Sequence, residues 1–319
     1  MNKELVAIAE NNNGMTLRSE NDERWEILMA AFLDAVDLKD TSRQMYCWAL
    51  TKYFLWLERT GRILKEATPA DIVLFKDYMV KSRLSKMTIG AYITAVRQFY
   101  RWTESTLLYP NIARSVKPPR GKKGFLKMHL TADEVSELMS AARLRSLRDY
   151  AIVNLIIRTG LRTVEVARAD VGDVRRKRGR RILRVWGKGQ DDKGEFVILS
   201  DLVWNPLKEY LDSRGDVLPG DPLFVTEGRG HKGSRMSPRL IQYLCKELLK
   251  KIGLEGHEYS AHSLRHTTAV LILTNGGDWK DVQRVLRHAS PATSQIYTAS
   301  IEDEVRLDSN PEGILDNVI

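Results

Sequence analysis

Two of the chain's six histidines fall in SAHSLRHTTAV, Ser260 to Val270, with an arginine between them. On a helix His262 and His266, four apart, would share a face, as would His262 and Arg265, three apart. The first pair has the spacing of the H-E-x-x-H zinc hydrolases. The second could grip a phosphate. A hydrolytic zinc site needs a third ligand and a general base that deprotonates the bound water. In the zinc pattern that base follows the first histidine, and here the position is Ser263. The remaining histidines form no second ligand cluster in the sequence. No metal is therefore expected, and His266 reads as helix surface or core.

The phosphate reading gathers more of the chain. TGLRTVEVA places Arg162 just after a glycine turn, at the mouth of a helix. RVLRHASPATSQIYTAS places His288 at a helix end and Tyr297 nine residues later. A guanidinium offers a fork of donors to two phosphate oxygens. Two such forks with histidine donors could neutralise a pentacoordinate phosphorane without a metal. A tyrosine supplies a nucleophile that can hold the broken ester covalently. Taken singly, Arg162 could cap a turn, His288 could cap a helix C-terminus, and Tyr297 could be core. The ordered set R…HxxR…H…Y carries the weight. GRGHKG, Gly228 to Gly233, matches G-x-G-x-x-G, but a polar SRM follows it and no alternation of strand and helix surrounds it. It reads as a loop, not a dinucleotide site. No G-x-x-x-x-G-K-[ST] motif occurs, which argues against ATP use.

The elements that must position these residues can be read from caps and periodicity. Residues 1–20 are polar and read as a flexible arm. From 21 to 114 four helices are expected: a stripe from Trp25 to Val36, then Thr41 to Glu58, then one opened by TPAD with Pro69 in its first position, then Lys86 to Thr103. SVKPPRGKKG, residues 115–124, has two prolines, two glycines and four cations, and reads as a basic linker. Residues 125–300 form a second domain. TADE is a capping box that opens a helix at Thr131. A helix over Asp149 to Arg158 precedes the glycine turn. RILRVWGKGQDDKGEFVILS reads as two strands around a glycine-rich turn, and PLFVT as a third strand. Further helices are expected after Ser237–Pro238, from Ser263 to Thr274, from Asp278 to about Arg287, and around Tyr297. The fold class expected is mainly α with a small antiparallel sheet: an all-helical domain followed by an α+β domain.

The 319 residues suffice for two domains with cores of their own. A hydrophobic content of 43% and a charged content of 29% are ordinary for a soluble globular chain. No apolar run has membrane length and MNKELVAIAENNNG has no signal-peptide pattern, so no membrane is expected and a cytoplasmic location is. Cys47 and Cys245 read as core thiols. The net charge of +9 is uneven. Residues 301–319 carry six acids and one base, −5, which leaves +14 for the rest. A body that basic suggests a polyanion partner, nucleic acid before anionic membrane. The run RRKRGRR, Arg175 to Arg181, reads as a hairpin that grips DNA or a solvated turn.

With these motifs in this order and spacing, the chain resembles the tyrosine recombinases, the phage-type integrases and Xer-type recombinases, from about Trp25 to Ser300. The resemblance implies that Arg162, His262, Arg265, His288 and Tyr297 are the active-site residues. It implies that Lys188, in WGKGQDDKG, is the acid that protonates the leaving 5′ oxygen, and that Glu165 supports the first arginine. It implies a helical core-binding domain and a catalytic domain that clamp DNA. The activity implied is cleavage and rejoining of DNA through a 3′-phosphotyrosyl intermediate and a Holliday junction, in integration, excision, or dimer or cointegrate resolution. No cofactor is implied. A tyrosine is mostly protonated at neutral pH, with a pKa of about 10, and His262 is the family's candidate base. The implied partners are double-stranded DNA with inverted-repeat core sites, a homo-tetramer or hetero-tetramer on that DNA, and an accessory protein, in a nucleoid-associated location. No arm-binding domain is expected before Trp25, and the acidic tail is expected to dock on a neighbouring protomer. Expected DNA contacts are Arg43, Lys86 and Arg97 in the helical domain, Lys122 and Lys123 in the linker, and Arg287. That last residue stands where the family often has glycine. Two alternatives stay open: a catalytically silent DNA-binding protein of the same fold, and a type IB-like topoisomerase or resolving enzyme.

Overall fold

A computed structural model describes residues 22–119, 128–187, 193–228 and 232–288. They fall into two compact units, one holding the described residues up to 119 and the other those from 128 onward.

The first unit is four helices: α1 (Asp22–Ala35), α2 (Asp40–Arg59), α3 (Pro69–Lys81) and α4 (Lys86–Ser105). Local chemistry sets their starts. Asp71 accepts from the Thr68 backbone N–H at 2.8 Å, Pro69 takes the first helical position where its missing N–H costs nothing, and Ser85 accepts from the Thr88 N–H at 3.0 Å. The apolar stripes then meet in an aromatic core. Trp25 stacks on Phe54 with centroids 5.1 Å apart, Phe54 meets Phe99 edge-on, and Phe32 packs edge-on against Phe99. The buried hydroxyls of Tyr53 and Tyr100 satisfy each other at 2.9 Å, and burial pushes both pKa values well above the ordinary phenol range.

The second unit centres on α6 (Leu147–Thr159), which is buried from Ala151 to Ile157. It packs against α5 (Ala132–Arg145), α8 (Asp201–Ser213) and α10 (Ala261–Thr274). The expected capping box forms: Glu134 accepts from the Thr131 N–H at 2.8 Å, and Thr131 from the Glu134 N–H at 3.2 Å. Between them lie α7 (Thr163–Arg168) and a sheet of β1 (Val174–Lys177), β2 (Arg180–Val185) and β3 (Glu195–Ile198), antiparallel in the order β1-β2-β3. Lys177 pairs with Arg180, so Arg178 and Gly179 form a two-residue turn with φ of 47° and 78°. Both angles are positive, as a right-twisted hairpin demands of such a turn. Val185 pairs with Glu195 at the other end. α9 (Pro238–Lys251) and α11 (Trp279–Leu286) complete the unit.

Two expectations about elements change. PLFVT is not a ladder strand: Pro222 and Val225 make single bridges, to Asp170 and Arg235. Leu223, Phe224 and Val225 are apolar because they are buried, and the third strand is β1. The other change is α8, which the sequence reading lacks because Pro206 sits inside it. A proline there leaves the carbonyl four residues back without its helical donor. That carbonyl is Leu202 O, and the Asn154 Nδ2 of α6 donates to it at 2.8 Å.

The sheet is tied to the rest of its unit by charge. Lys193 Nζ reaches Asp170 at 2.7 Å and also Asp173, while Arg235 reaches Asp170 at 2.5 Å. Burial works to raise the Asp170 pKa, but the hydrogen bonds and charges of Lys193 and Arg235 outweigh it and hold the carboxyl below its ordinary range. Burial pushes the Cys245 thiol up to about 12, so it is a core thiol. Among the described residues no helix is long and apolar enough to cross a membrane.

Candidate active site

α6 ends at Gly160, which has φ 61° and ψ 24°. Only glycine takes that conformation without strain. A second constraint acts on the same atom, because a Cβ at Gly160 would overlap Leu286 Cδ2. The end of α6 and the end of α11 therefore touch here.

Arg265 fastens that junction. It lies on α10 and is 4% exposed. Its Nη1 donates to Gly160 O and its Nη2 to Leu286 O at 2.6 Å. Arg162 follows Gly160 by two residues, and His288 follows Leu286 by two. Two residues span at most about 7 Å, so both are brought to the same junction. His288 is 8% exposed, and its backbone N–H donates to Gln283 O at 3.1 Å.

Arg162 is the N-cap of α7. Glu165 accepts from its backbone N–H at 2.7 Å and from its Nη1 at 2.8 Å. The Arg162 side chain remains 25% exposed while that of Glu165 is 3% exposed. The carboxylate thus holds one edge of the guanidinium and leaves the other edge accessible. His262 lies on the exposed side of α10, one turn before the buried His266, whose ring meets that of His129 edge-on at 5.5 Å. Among the described residues no three His, Cys, Asp or Glu side chains are grouped to hold a metal ion.

The structure thus brings Arg162, Glu165, Arg265 and His288 together around the junction of α6 and α11. Lys188 and Tyr297 lie outside the described residues, as do Lys122, Lys123 and the acidic tail. Lys86 and Arg97 are exposed on α4, where Arg97 shares a groove with Arg101 and Arg114. Arg43 is engaged within its own unit, donating to Leu33 O at 2.8 Å and pairing with Asp34. Arg287 is turned inward: its Nη2 lies 2.7 Å from Glu165 and its Nε 3.2 Å from Glu195, an ion pair without hydrogen-bond alignment. Glu195 was not singled out from the sequence. The available signal was Arg287 itself, an arginine at a helix end where a left-handed residue is usually glycine.

The profile of the phage integrase family matches residues 128–304, and that of the phage integrase N-terminal SAM-like domain matches residues 28–108. The chain belongs to the phage integrase family. It is similar to the tyrosine recombinase XerC of Pelobacter propionicus, with 31% identity over 238 residues, covering 73% of this chain and 76% of the relative. It is similar also to the tyrosine recombinase XerA of Pyrococcus horikoshii, with 29% identity over 269 residues, 84% of this chain and 86% of that one. Among solved structures it shares its fold with the XerH site-specific recombinase bound to its difH substrate, at TM-score 0.69 and 20% identity over 91% of this chain and 97% of that one. This chain is a tyrosine recombinase, mainly helical with one small antiparallel sheet.

Proposed function

We propose that this recombinase cleaves and rejoins double-stranded DNA at specific sites through a 3′-phosphotyrosyl intermediate. Tyr297 attacks the scissile phosphate, with His262 accepting its proton. Arg162 and Arg265, with His288, stabilise the charge that builds on the non-bridging oxygens. Lys188 protonates the departing 5′ oxygen. The 5′ hydroxyl of a partner duplex then attacks the phosphotyrosine and releases Tyr297. The energy of the phosphodiester is kept in the protein link, so the chemistry calls on neither ATP nor a metal.

The observation that carries this reading is the hold on Arg265. A guanidinium fixed by two helix-end carbonyls cannot reorganise, and a donor that need not reorganise is what stabilises a developing charge. Arg162 supports it from the other side, pinned at one edge by Glu165 and accessible at the other. The N-terminus of α10, which carries His262, adds the positive end of a fourteen-residue helix.

The two compact units support a division of labour in which residues 21–114 bind the core site, 115–124 link, and 125–300 carry the chemistry. The basic body suits DNA, and the reading adds a tetramer on inverted-repeat sites, with residues 301–319 docking on a neighbour. The test is a nicked duplex carrying a site selected by binding enrichment, on which attack strands the protein covalently. Wild-type protein should accumulate on it and Tyr297→Phe should not, while binding the duplex within about threefold, since that change removes the nucleophilic oxygen and keeps the ring. Covalent adduct from Tyr297→Phe would remove Tyr297 from the role.

A further inference from the structure

Arg287 is the first residue past α11, with φ 53° and ψ 51°. That left-handed conformation strains any residue with a Cβ, and such strain persists only where the surroundings over-determine it. Here the surroundings are specific. The side chain is 7% exposed. Nη2 donates to Glu165 Oε2 at 2.7 Å, Nη1 donates to Val285 O at 2.9 Å, and Nε faces Glu195 Oε2 at 3.2 Å. Nη1 and Nη2 thus each donate within the protein, Nε lies beside a carboxylate without hydrogen-bond alignment, and the fork is buried.

Glu165 is the shared partner. Its Oε1 takes Arg162 Nη1, and its Oε2 takes both the Arg162 backbone N–H and Arg287 Nη2. Were Arg162 its only cation, a buried carboxylate would cancel the charge that Arg162 is to offer a phosphate. A second guanidinium on the same carboxylate changes that balance, because Glu165 is then neutralised in part by Arg287 and Arg162 keeps more of its field. Glu195 adds a second connection. It is the first residue of β3 and pairs with Val185, the last residue of β2.

We propose that Arg287 is a positioning residue of the active site. It holds Glu165 so that this carboxylate orients Arg162 without cancelling its charge, and through Glu195 it seats the β2–β3 hairpin against the same carboxylate. This rests on the role given to Arg162 above. It also gives a reason for an arginine at a position whose backbone asks for glycine.

The test uses the full chain and the variants Arg287→Gly, Arg287→Lys and Glu195→Gln, with duplex binding and single-turnover covalent trapping on the nicked duplex measured side by side. Arg287→Gly should bind within about threefold of wild type and trap about 100-fold more slowly, the scale set by a 1 Å misplacement at a reacting centre. Arg287→Lys, which keeps the charge, should recover about tenfold of that loss. Glu195→Gln should slow trapping by about tenfold with binding unchanged. A parallel measurement needs no DNA: the side-chain ¹⁵N resonances of Arg162, assigned by their loss in Arg162→Lys, should show faster guanidinium rotation in Arg287→Gly than in wild type. If Arg287→Gly loses binding and trapping in equal proportion, Arg287 is a DNA contact and the proposal fails. It fails too if the Arg162 resonances are unchanged in Arg287→Gly. Should Arg287→Gly not fold, Arg287→Lys and Glu195→Gln decide by the same split between binding and trapping. Wild-type protein that never traps would defeat the recombinase chemistry, while the resonances would still judge the positioning.

Discussion

Gly160→Ala should be among the most damaging single-methyl changes in this protein. Two costs add. At φ 61° a Cβ costs about 1–2 kcal/mol against its own carbonyl. The added methyl also overlaps Leu286 Cδ2, with Thr268 Cγ2 at 3.5 Å behind it. Leu286 is fully buried, so its tip cannot swing out to solvent, and overpacking of this kind costs about 1–3 kcal/mol. The sum, about 2–5 kcal/mol, is a large part of the 5–15 kcal/mol that holds a typical domain. Gly179→Ala is the control. Its φ is 78°, but nothing lies within 4 Å of the added methyl, so only the backbone cost applies. Equilibrium denaturation of both variants, read as a shift of midpoint at constant slope, separates the packing cost from the conformational one. Gly160→Ala combined with Leu286→Ala should then cost less than the sum of its parts, because one clash is removed. Equal losses from Gly160→Ala and Gly179→Ala would refute the reading that the ends of α6 and α11 are in hard contact. A folded Gly160→Ala should also trap DNA about 100-fold more slowly, because Arg265 is held by the Gly160 and Leu286 carbonyls.

Three further outcomes follow from the same geometry. Asn154→Ala should destabilise by about 1–3 kcal/mol in a denaturant titration, since it leaves the carbonyl that Pro206 frees in α8 without its donor. The Asp170 carboxyl is held below its ordinary pKa near 3.8, so its contribution to stability is complete above that value and is lost as pH falls through the lower, folded value; in acid titrations the wild type should lose stability more steeply below about pH 4 than Asp170→Asn, and parallel curves would exclude the Lys193–Asp170–Arg235 cluster as the cause. For DNA binding, Lys86→Ala and Arg97→Ala should each flatten the slope of log affinity against log salt by about one, and unchanged slopes would move the binding surface off α4.

What the sequence discloses about this fold is what short range controls. Thr131 and Ser237 announce their helices because a cap bonds to an N–H three residues away. β2 and β3 are legible because their alternation and the glycines between them are local. α8 is not, since Pro206 argues against a helix at every local level and the compensating donor, Asn154, lies 48 residues before the carbonyl it satisfies. PLFVT misleads for the reverse reason: burial makes it apolar, but nothing local says that it lacks a ladder partner. At the candidate site the residue types and their order could be read, because guanidinium, imidazole and phenol have few substitutes in phosphoryl chemistry. Their supports could not. Arg265 is held by backbone carbonyls, which every residue possesses, and Arg287 takes a helix-end conformation that its side chain disfavours.

The two arginines of this site are held by different physics, and that bears on how each would fail. Arg265 is buried, and the two acceptors that fix it are at the C-terminal ends of α6 and α11, where unpaired carbonyls give each helix its negative pole. A cation there gains from both dipoles, each worth up to about 2 kcal/mol in a partly buried setting. Arg162 is held by a carboxylate, a stronger single partner at about 1.5–3 kcal/mol for a charged hydrogen bond, but one that opposes its charge. The arrangement that keeps Arg162 useful is therefore the sharing of Glu165 with Arg287. Loss of the α6–α11 junction would release Arg265 directly and reach Arg162 through the two-residue link from Gly160, whereas loss of Arg287 would dull Arg162 directly. The two supports share a neighbour, because a Cβ at Gly160 meets Leu286 and Leu286 precedes Arg287. Single-turnover rates for Gly160→Ala, Arg287→Gly and the pair should therefore depart from additivity in their logarithms, as contacting sites do. A strictly additive pair would mean that the two arginines have separate supports.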